Sequence, residues 1–150
     1  MERRAVKRSV IINAKAAEVW KAITDPEMIK QYFFGTNVKT DWKEGSKITF
    51  SGTWKGKEYE DKGQVTLVKK NKKLEYTYWS SLSGLGDFPQ NYYDMIYELE
   101  EREKDTVLAI IQVGLMSDDI YKQTSENWEI VLQQLKQLLE KKTVVDQVVS

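Results

Sequence analysis

The sequence predicts an α+β domain in which a curved antiparallel sheet of about six or seven strands wraps around one long C-terminal helix. Three features of the chain lead to this prediction. A first strand is followed at once by two short helices, a long middle region alternates apolar and polar residues, and the last third repeats apolar residues at helical spacing. Since one helix covers only part of a wide concave sheet, we also expect a gap between the two.

The N-terminal region predicts one strand and two short helices. Residues 4–12 alternate as a half-buried strand does, and the chain after Asn13 changes to helical spacing. Asp25 suits the N-cap of the second helix and Pro26 its first position, where a missing N–H leaves no bond unmade. The apolar faces are Val6, Val10 and Ile12, then Val19, Trp20 and Ile23, then Met28, Ile29, Tyr32 and Phe33.

The middle of the chain predicts the sheet. Gly35 to Thr40 indicates a turn and a short strand, and strands joined by turns at 55–57 and 69–73 follow. The residues that share one face are Ile48, Phe50, Gly52 and Trp54, then Tyr59, Asp61, Gly63, Val65 and Leu67, then Leu74, Tyr76 and Tyr78. The glycine-containing segment 80–91 interrupts this pattern and predicts a loop.

Two further strands and the long helix complete the domain. We expect strands over 92–100 and 106–114, and the run 107–113 is apolar on both faces, which predicts a central strand covered on both sides. Ser117 suits the N-cap of a helix that reaches about Lys142. Its apolar positions are Ile120, Tyr121, Thr124, Trp128, Val131, Leu132, Leu135, Leu138 and Leu139. We therefore predict a single domain over 1–142 and a frayed C-terminal tail over 143–150.

Composition narrows the classes of function. The chain contains no Cys and no His, which excludes thiol chemistry, His-based triads and zinc sites with His ligands. Lys plus Arg and Asp plus Glu are 23 each, so no long-range field favours nucleic acid. We find no signal peptide and no membrane-spanning run, and expect a cytoplasmic monomer without metal or cofactor and without membrane insertion.

Several segments together resemble the START-like (SRPBCC) superfamily and, within it, the family named for the activator of the heat-shock protein 90 ATPase. They are 17–27, Asp41-Trp42-Lys43-Glu44-Gly45, Tyr76-Thr77-Tyr78-Trp79, and Trp128 with Val131-Leu132 and Leu135-Lys136. The resemblance implies a helix-grip fold of the Bet v type with an internal cavity. The sequence has no counterpart of the separate N-terminal, chaperone-binding domain of the eukaryotic co-chaperones, so a full co-chaperone role is not expected.

Three functions remain open at this point. The first is a binding domain that holds a hydrophobic or aromatic small molecule, lipid-like or similar to a polyketide or flavonoid, away from water. The second is a co-chaperone-like domain that contacts a protein such as a chaperone, and a collapsed cavity beside an apolar surface patch would favour it. The third is a cavity-based cyclase or hydrolase, which would have only Asp61, Glu98 and tyrosines as acid–base groups.

The candidate ligand-binding residues are mostly aromatic, because Tyr and Trp combine apolar area with a polar tip. They are Trp20, Phe33, Phe50, Trp54, Tyr59, Asp61, Tyr76, Tyr78, Trp128 and Leu132. For each, an ordinary core position is the alternative. Asp61 either orients a ligand group from inside or reaches water near the sheet edge. The loop 80–91 is either a mobile lid or a plain crossover whose Leu82, Leu85 and Phe88 cap the core.

Overall fold

The computed structural model describes the backbone of residues 1–149 and the side chains of residues 1–141. Seven antiparallel strands form one curved sheet in the order β1-β7-β6-β5-β4-β3-β2, which confirms the predicted α+β fold. The strands are β1 (Glu2–Ile12), β2 (Asn37–Lys39), β3 (Lys47–Trp54), β4 (Lys57–Lys69), β5 (Lys73–Tyr78), β6 (Tyr93–Glu101) and β7 (Thr106–Met116). The helices are α1 (Ala16–Thr24), α2 (Pro26–Tyr32) and α3 (Asp118–Val149), with one 3-10 turn at Pro89–Asn91.

The core lies between the inner face of the sheet and the three helices. Helix α3 packs along β1 and β7, α1 contacts β6 and β7, and α2 closes the end of the sheet at β2. Polar contacts fix α3 to β1 near the two ends of the strand, from Arg4 to Asp118 (2.5 Å) and from Lys136 to the Ile11 carbonyl (2.6 Å). Within the described residues, no helix combines the length and apolar character needed to cross a membrane.

The local signals for helix starts and turns are confirmed. The Asp25 carboxylate accepts a hydrogen bond from the Glu27 backbone N–H (2.9 Å), and Pro26 begins α2. The Ser117 hydroxyl accepts one from the Ile120 N–H (3.2 Å) at the start of α3. Asn71, with a φ of 66°, lies in the turn between β4 and β5.

Strand β4 departs from the predicted alternation because it contains a bulge. The pairing with β5 shifts between Val65 and Leu67, so the side chains change faces there. Val68 therefore packs against the core in place of Leu67. Just before the bulge, β5 crosses so closely that a Cβ added to Gly63 would lie 1.7 Å from the Thr77 carbonyl oxygen. Glycine at this position permits the close approach of the two backbones.

Two other predictions about burial are wrong. Strand β7 is flanked by β1 and β6, but only one of its faces is buried and the other is half-exposed, because all three helices pack on the inner side. At the start of α3, Ile120 and Tyr121 are exposed, since the first turn of the helix extends past the core.

Helix α3 continues as backbone to Val149, seven residues past the predicted end near Lys142. The sequence predicts a frayed tail over 143–150. The side chains of these residues and the last residue itself lie outside the described residues.

Candidate functional site

A small cavity lies between the α1–α2 pair and the inner face of the sheet. Its lining consists of Ile23, Ile29, Tyr32, Phe33, Val38, Trp42, Phe50, Tyr76 and Tyr97. All nine side chains are aliphatic or aromatic, and the polar groups among them are the tyrosine hydroxyls and the Trp42 indole N–H. The cavity can therefore contact an apolar body over nearly its whole wall.

Strands β3, β5 and β6 present the aromatic wall as a row. Phe50 on β3, Tyr76 on β5 and Tyr97 on β6 point to the inner face because their strands alternate. Their ring centroids lie 5.6 Å apart for Phe50–Tyr76 and 5.7 Å apart for Tyr76–Tyr97. Trp128 of α3 meets Tyr97 edge-on at 6.1 Å, and its indole N–H donates to the buried Gln112 side chain at 2.8 Å. Helix α3 thus supports the aromatic wall through the contact of Trp128 with Tyr97.

Three buried tyrosine hydroxyls supply the polarity of the cavity. Those of Tyr76 and Tyr97 lie 2.8 Å apart and hydrogen-bond to each other, and that of Tyr32 donates to the Ala22 carbonyl at 2.8 Å. Burial raises the pKa of Tyr97 to about 12, and it raises the pKa values of Tyr76 and Tyr32 well above the usual 10. These groups remain neutral hydroxyls at neutral pH.

Aromatic side chains also connect the cavity to the surface. Phe33, at the end of α2, is half-buried and meets Trp128 edge-on at 5.5 Å and Phe34 at 6.0 Å. Phe34 in turn contacts Trp54 at 5.3 Å. The backbone here is in the left-handed region, with a φ of 51° at Phe34 and 71° at Gly35. This turn places Phe33 in the cavity and Phe34 outside it.

The cavity volume is about 20 Å³, which is enough for one water-sized group. Sites for drug-sized ligands usually enclose about 300–1,000 Å³. The structure therefore presents a closed form, and a larger molecule requires the lining to move apart.

Asp61 faces inward but does not line the cavity. Its side chain is only 4% exposed. The carboxylate accepts hydrogen bonds from the Tyr78 hydroxyl, from the Ser81 backbone N–H (2.8 Å) and from the Ser81 hydroxyl (3.1 Å). These neighbours satisfy the charge, so Asp61 fastens the start of the loop 80–91 to β4. Glu98 lies exposed on the outer face of β6.

The loop 80–91 is tied to the end of the sheet and contributes no residue to the cavity wall. Asp87 pairs with Lys62 and accepts from the Tyr92 hydroxyl (2.5 Å). The Trp79 indole N–H donates to the Gly86 carbonyl at 3.1 Å. Leu82 and Phe88 are exposed rather than packed as caps on the core.

Three of the ten residues predicted to bind ligand line the cavity, namely Phe33, Phe50 and Tyr76. Four lie against this group or in the core without lining it, namely Trp20, Tyr78, Trp128 and Leu132. Tyr59 bonds to Thr36 at 2.7 Å and Asp61 to Ser81. Trp54, expected to face inward, is 39% exposed, because β3 ends there in the turn to β4.

Sequence reasoning missed six lining residues, namely Ile23, Ile29, Tyr32, Val38, Trp42 and Tyr97. Tyr97 had a signal, because Met95, Tyr97 and Leu99 alternate inward on β6. The others come from the two short helices, the short edge strand β2 and a connection, whose placement on the sheet no local pattern gives.

Among the described residues, no three Asp or Glu side chains come together in a way that would hold a metal ion. The cavity wall contains no ionisable side chain other than tyrosine.

Fold and cavity together define a helix-grip domain, with a curved antiparallel sheet around a C-terminal helix and an aromatic cavity between the sheet and the shorter helices. Residues 13–140 match the family described as "Activator of Hsp90 ATPase homolog 1-like protein". The chain belongs to this family. The comparison with curated proteins found no match.

Solved structures agree with this assignment. ChR145 from Cytophaga hutchinsonii is 38% identical, with a TM-score of 0.82 over 96% of this chain and 99% of ChR145. The Aha1 dimer from Colwellia psychrerythraea is 18% identical, with a TM-score of 0.71 over 91% of this chain and 96% of that one. Ara h 8.0201 is 8% identical, with a TM-score of 0.73 over 93% and 99% of the two chains. The last two share the fold alone.

Proposed function

We propose that the domain binds a hydrophobic or aromatic small molecule, lipid-like or similar to a polyketide or flavonoid, in an opened form of its cavity. The observation that supports this proposal is the continuous aliphatic and aromatic wall of the cavity, with tyrosine hydroxyls among its rings. Apolar burial supplies the affinity, at about 25 cal/mol per Å² before ordering costs, and the hydroxyls set the orientation. No bond chemistry is required. A cytoplasmic location and a monomeric state belong to the same proposal.

Phe33 is the side chain that opens the cavity in this proposal. It and Trp42 are the half-buried members of the lining, whereas the other seven are buried. The helix before Phe33 has only seven residues, and Gly35 follows two residues later. Moving Phe33 outward breaks two edge-to-face contacts, which costs about 0.5–1.5 kcal/mol each. The apparent affinity equals the affinity of the open form multiplied by the fraction of molecules that are open, so a closed cavity weakens binding.

Titration with two neutral probes, naringenin and 1-decanol, tests ligand binding. We expect the NMR resonances of Phe33, Tyr76 and the Trp128 indole to shift, because these groups line or support the wall. A Phe33→Ala variant should bind at least one probe about tenfold more tightly, since its cavity is already open.

Phe88→Ala is the matched control, because Phe88 is 57% exposed and lies outside the cavity. Its affinity for both probes should equal that of the unaltered chain. If neither probe shifts a lining residue in the unaltered chain or in Phe33→Ala, the proposed function is wrong.

A protein-contact function is the second candidate, with a chaperone of the heat-shock protein 90 type as partner. The family name supports it, and so does the small cavity beside the exposed Trp54 and half-exposed Phe34. Under this alternative the chain raises the ATPase rate of such a chaperone. Trp54→Ser would abolish the increase and leave naringenin binding unchanged. No increase with the unaltered chain excludes this candidate.

An enzymatic function has the least support. The cavity wall holds no carboxylate, and Asp61 is occupied by Tyr78 and Ser81. An Asp61-based reaction would require Asp61→Asn to abolish turnover of the true substrate, and unchanged turnover excludes it.

A further inference from the structure

The hydroxyls of Tyr32, Tyr76 and Tyr97 carry three hydrogens, but the structure describes hydrogen-bond acceptors for only two of them. The Tyr32 hydrogen goes to the Ala22 carbonyl. In the Tyr76–Tyr97 pair, one hydroxyl donates and the other accepts, which uses only one of the two hydrogens. Among the described residues, no acceptor is recorded for the second hydrogen. A buried donor without an acceptor is unfavourable by roughly 1–3 kcal/mol, so this hydrogen is a ready anchor for an acceptor atom.

The charges around the cavity restrict what this anchor can hold. None of the nine lining residues is Lys, Arg, Asp or Glu, so an ionised ligand group would be buried without a counter-charge. The hydroxyls do not supply a negative charge either, because burial raises the pKa of Tyr97 to about 12 and keeps it neutral. The polar group of a suitable ligand is therefore uncharged.

We propose that the Tyr76–Tyr97 hydroxyl pair is the specificity element of the cavity and selects a neutral aromatic or apolar ligand that carries a hydrogen-bond acceptor oxygen of the carbonyl type. This inference rests on the proposed function and adds the chemistry of the ligand. The present volume of about 20 Å³, which Tyr76 and Tyr97 help to line, fits a single oxygen. The rest of the ligand lies in the space vacated by Phe33.

The pair itself predicts an unusual pattern among its variants. Tyr76→Phe removes one hydroxyl but leaves Tyr97 with a hydrogen that has no partner, and Tyr97→Phe leaves Tyr76 in the same position. Each single variant therefore keeps a donor. Only the double variant removes it, and replacing both partners by rings of the same shape is close to neutral for stability.

Four naphthalene probes separate the chemistry: 2-acetylnaphthalene, 2-ethylnaphthalene, 2-naphthoate and 2-naphthylmethylammonium. We would measure each dissociation constant from the Trp128 indole NMR resonance, with the unaltered chain, both single variants, the double variant and Tyr93→Phe. In the double variant the ketone should lose about three- to tenfold in affinity, as expected for one hydrogen bond, while the ethyl analogue does not weaken. The single variants should stay within about twofold of the unaltered chain.

Tyr93→Phe controls for the loss of a tyrosine hydroxyl, because Tyr93 is half-buried and donates to the Leu115 carbonyl outside the cavity. It should leave the ketone affinity unchanged. Equal losses for the ketone and the ethyl analogue would overturn the inference but leave the proposed function standing. The inference would also be overturned if 2-naphthoate or 2-naphthylmethylammonium bound more tightly than the ketone, or if the double variant kept its full affinity for the ketone. If none of the four probes shifts Trp128, the inference is wrong, whereas the proposed function fails only if the two titrations described for it also give no shift.

Discussion

Asp61 is a buried carboxylate whose partners are all neutral. Three donors point at it, and they come from β5 and from the first turn of the loop 80–91. Its burial is therefore compensated by hydrogen bonds rather than by a cation. This arrangement explains why an acidic residue is found on the apolar face of a strand without lining the cavity.

Removing this carboxylate should destabilise the domain. Asp61→Ala leaves the donors of Tyr78 and Ser81 without their acceptor, so we expect the free energy of unfolding to fall by about 1–3 kcal/mol. Urea unfolding measures the loss. Glu98→Ala on the exposed face of β6 is the control and should change stability by no more than about 0.5 kcal/mol. Equal stability of Asp61→Ala and the unaltered chain would contradict the prediction.

The buried tyrosines make stability depend on pH at the alkaline end. The pKa of Tyr97 is about 12 and that of Tyr76 lies well above 10 in the folded protein, against about 10 when unfolded. Their contribution is complete below pH 10. Between about pH 10 and 12 the unfolded chain releases protons that the folded chain keeps, so stability falls as pH rises, by about 1 kcal/mol per pH unit for each tyrosine.

The Tyr76→Phe/Tyr97→Phe double variant separates this effect from the titration of lysines. Urea unfolding at several pH values from 9 to 12 should give a shallower decline for the double variant. The same slope for both proteins would mean that these two hydroxyls are not protected by burial.

At the scale of elements, β4 is the strand that departs from regular geometry. Its bulge after Val65 and the close approach at Gly63 let it bend over β5 while Asp61 and Val65 still face inward. The period of two in the sequence predicts the strand and its inward residues as far as Val65. It does not predict the bulge, because a bulge depends on how the partner strand aligns.

Gly63→Ala tests the close approach. An added Cβ would lie 1.7 Å from a backbone oxygen of Thr77, which cannot move without breaking the β4–β5 pairing. We expect the free energy of unfolding to fall by more than about 3 kcal/mol. Alanine normally stabilises a strand relative to glycine, so such a loss would come from the clash. Thermal and urea unfolding report the change. Glu58→Ala, an exposed site in the regular part of the same strand, should have an effect within about 0.5 kcal/mol, and comparable stabilities of the two variants would argue against a clash.

For the whole molecule, the packing of α3 against the sheet determines stability. Leu132 is fully buried among core residues, although the sequence suggested it as a ligand contact. Leu132→Ala should therefore lower the free energy of unfolding by about 2–5 kcal/mol, because it leaves a cavity that a helix spanning the sheet cannot close.

Ile130→Ala provides the matched comparison on the other side of α3. Ile130 is 45% exposed, so the variant should lose no more than about 0.5 kcal/mol in the same urea experiment. If both variants lose the same amount, α3 does not have the buried face that the structure gives it.

Individual residues show where sequence reasoning succeeds. Asp25 and Ser117 were predicted as caps because capping needs only a side-chain oxygen and the next few backbone N–H groups. The alternation of Phe50, Gly52 and Trp54 predicts that Trp54 faces inward. Trp54 is instead exposed, because it is the last residue of β3 and lies beyond the core. Phe33 and Tyr76 were found because aromatic residues at inward positions are frequent wall residues.

The sequence by itself determined the order and type of the elements, the caps and turns, the family and the absence of His and Cys chemistry. These properties depend on residue type and on spacing along the chain, which are local. Only the tertiary structure decided that Tyr32, Trp42 and Tyr97 share a cavity, that its volume is about 20 Å³ and that Tyr76 and Tyr97 bond to each other. Such facts depend on how helices, connections and distant strands meet, and on displacements of a few ångströms that no periodicity records.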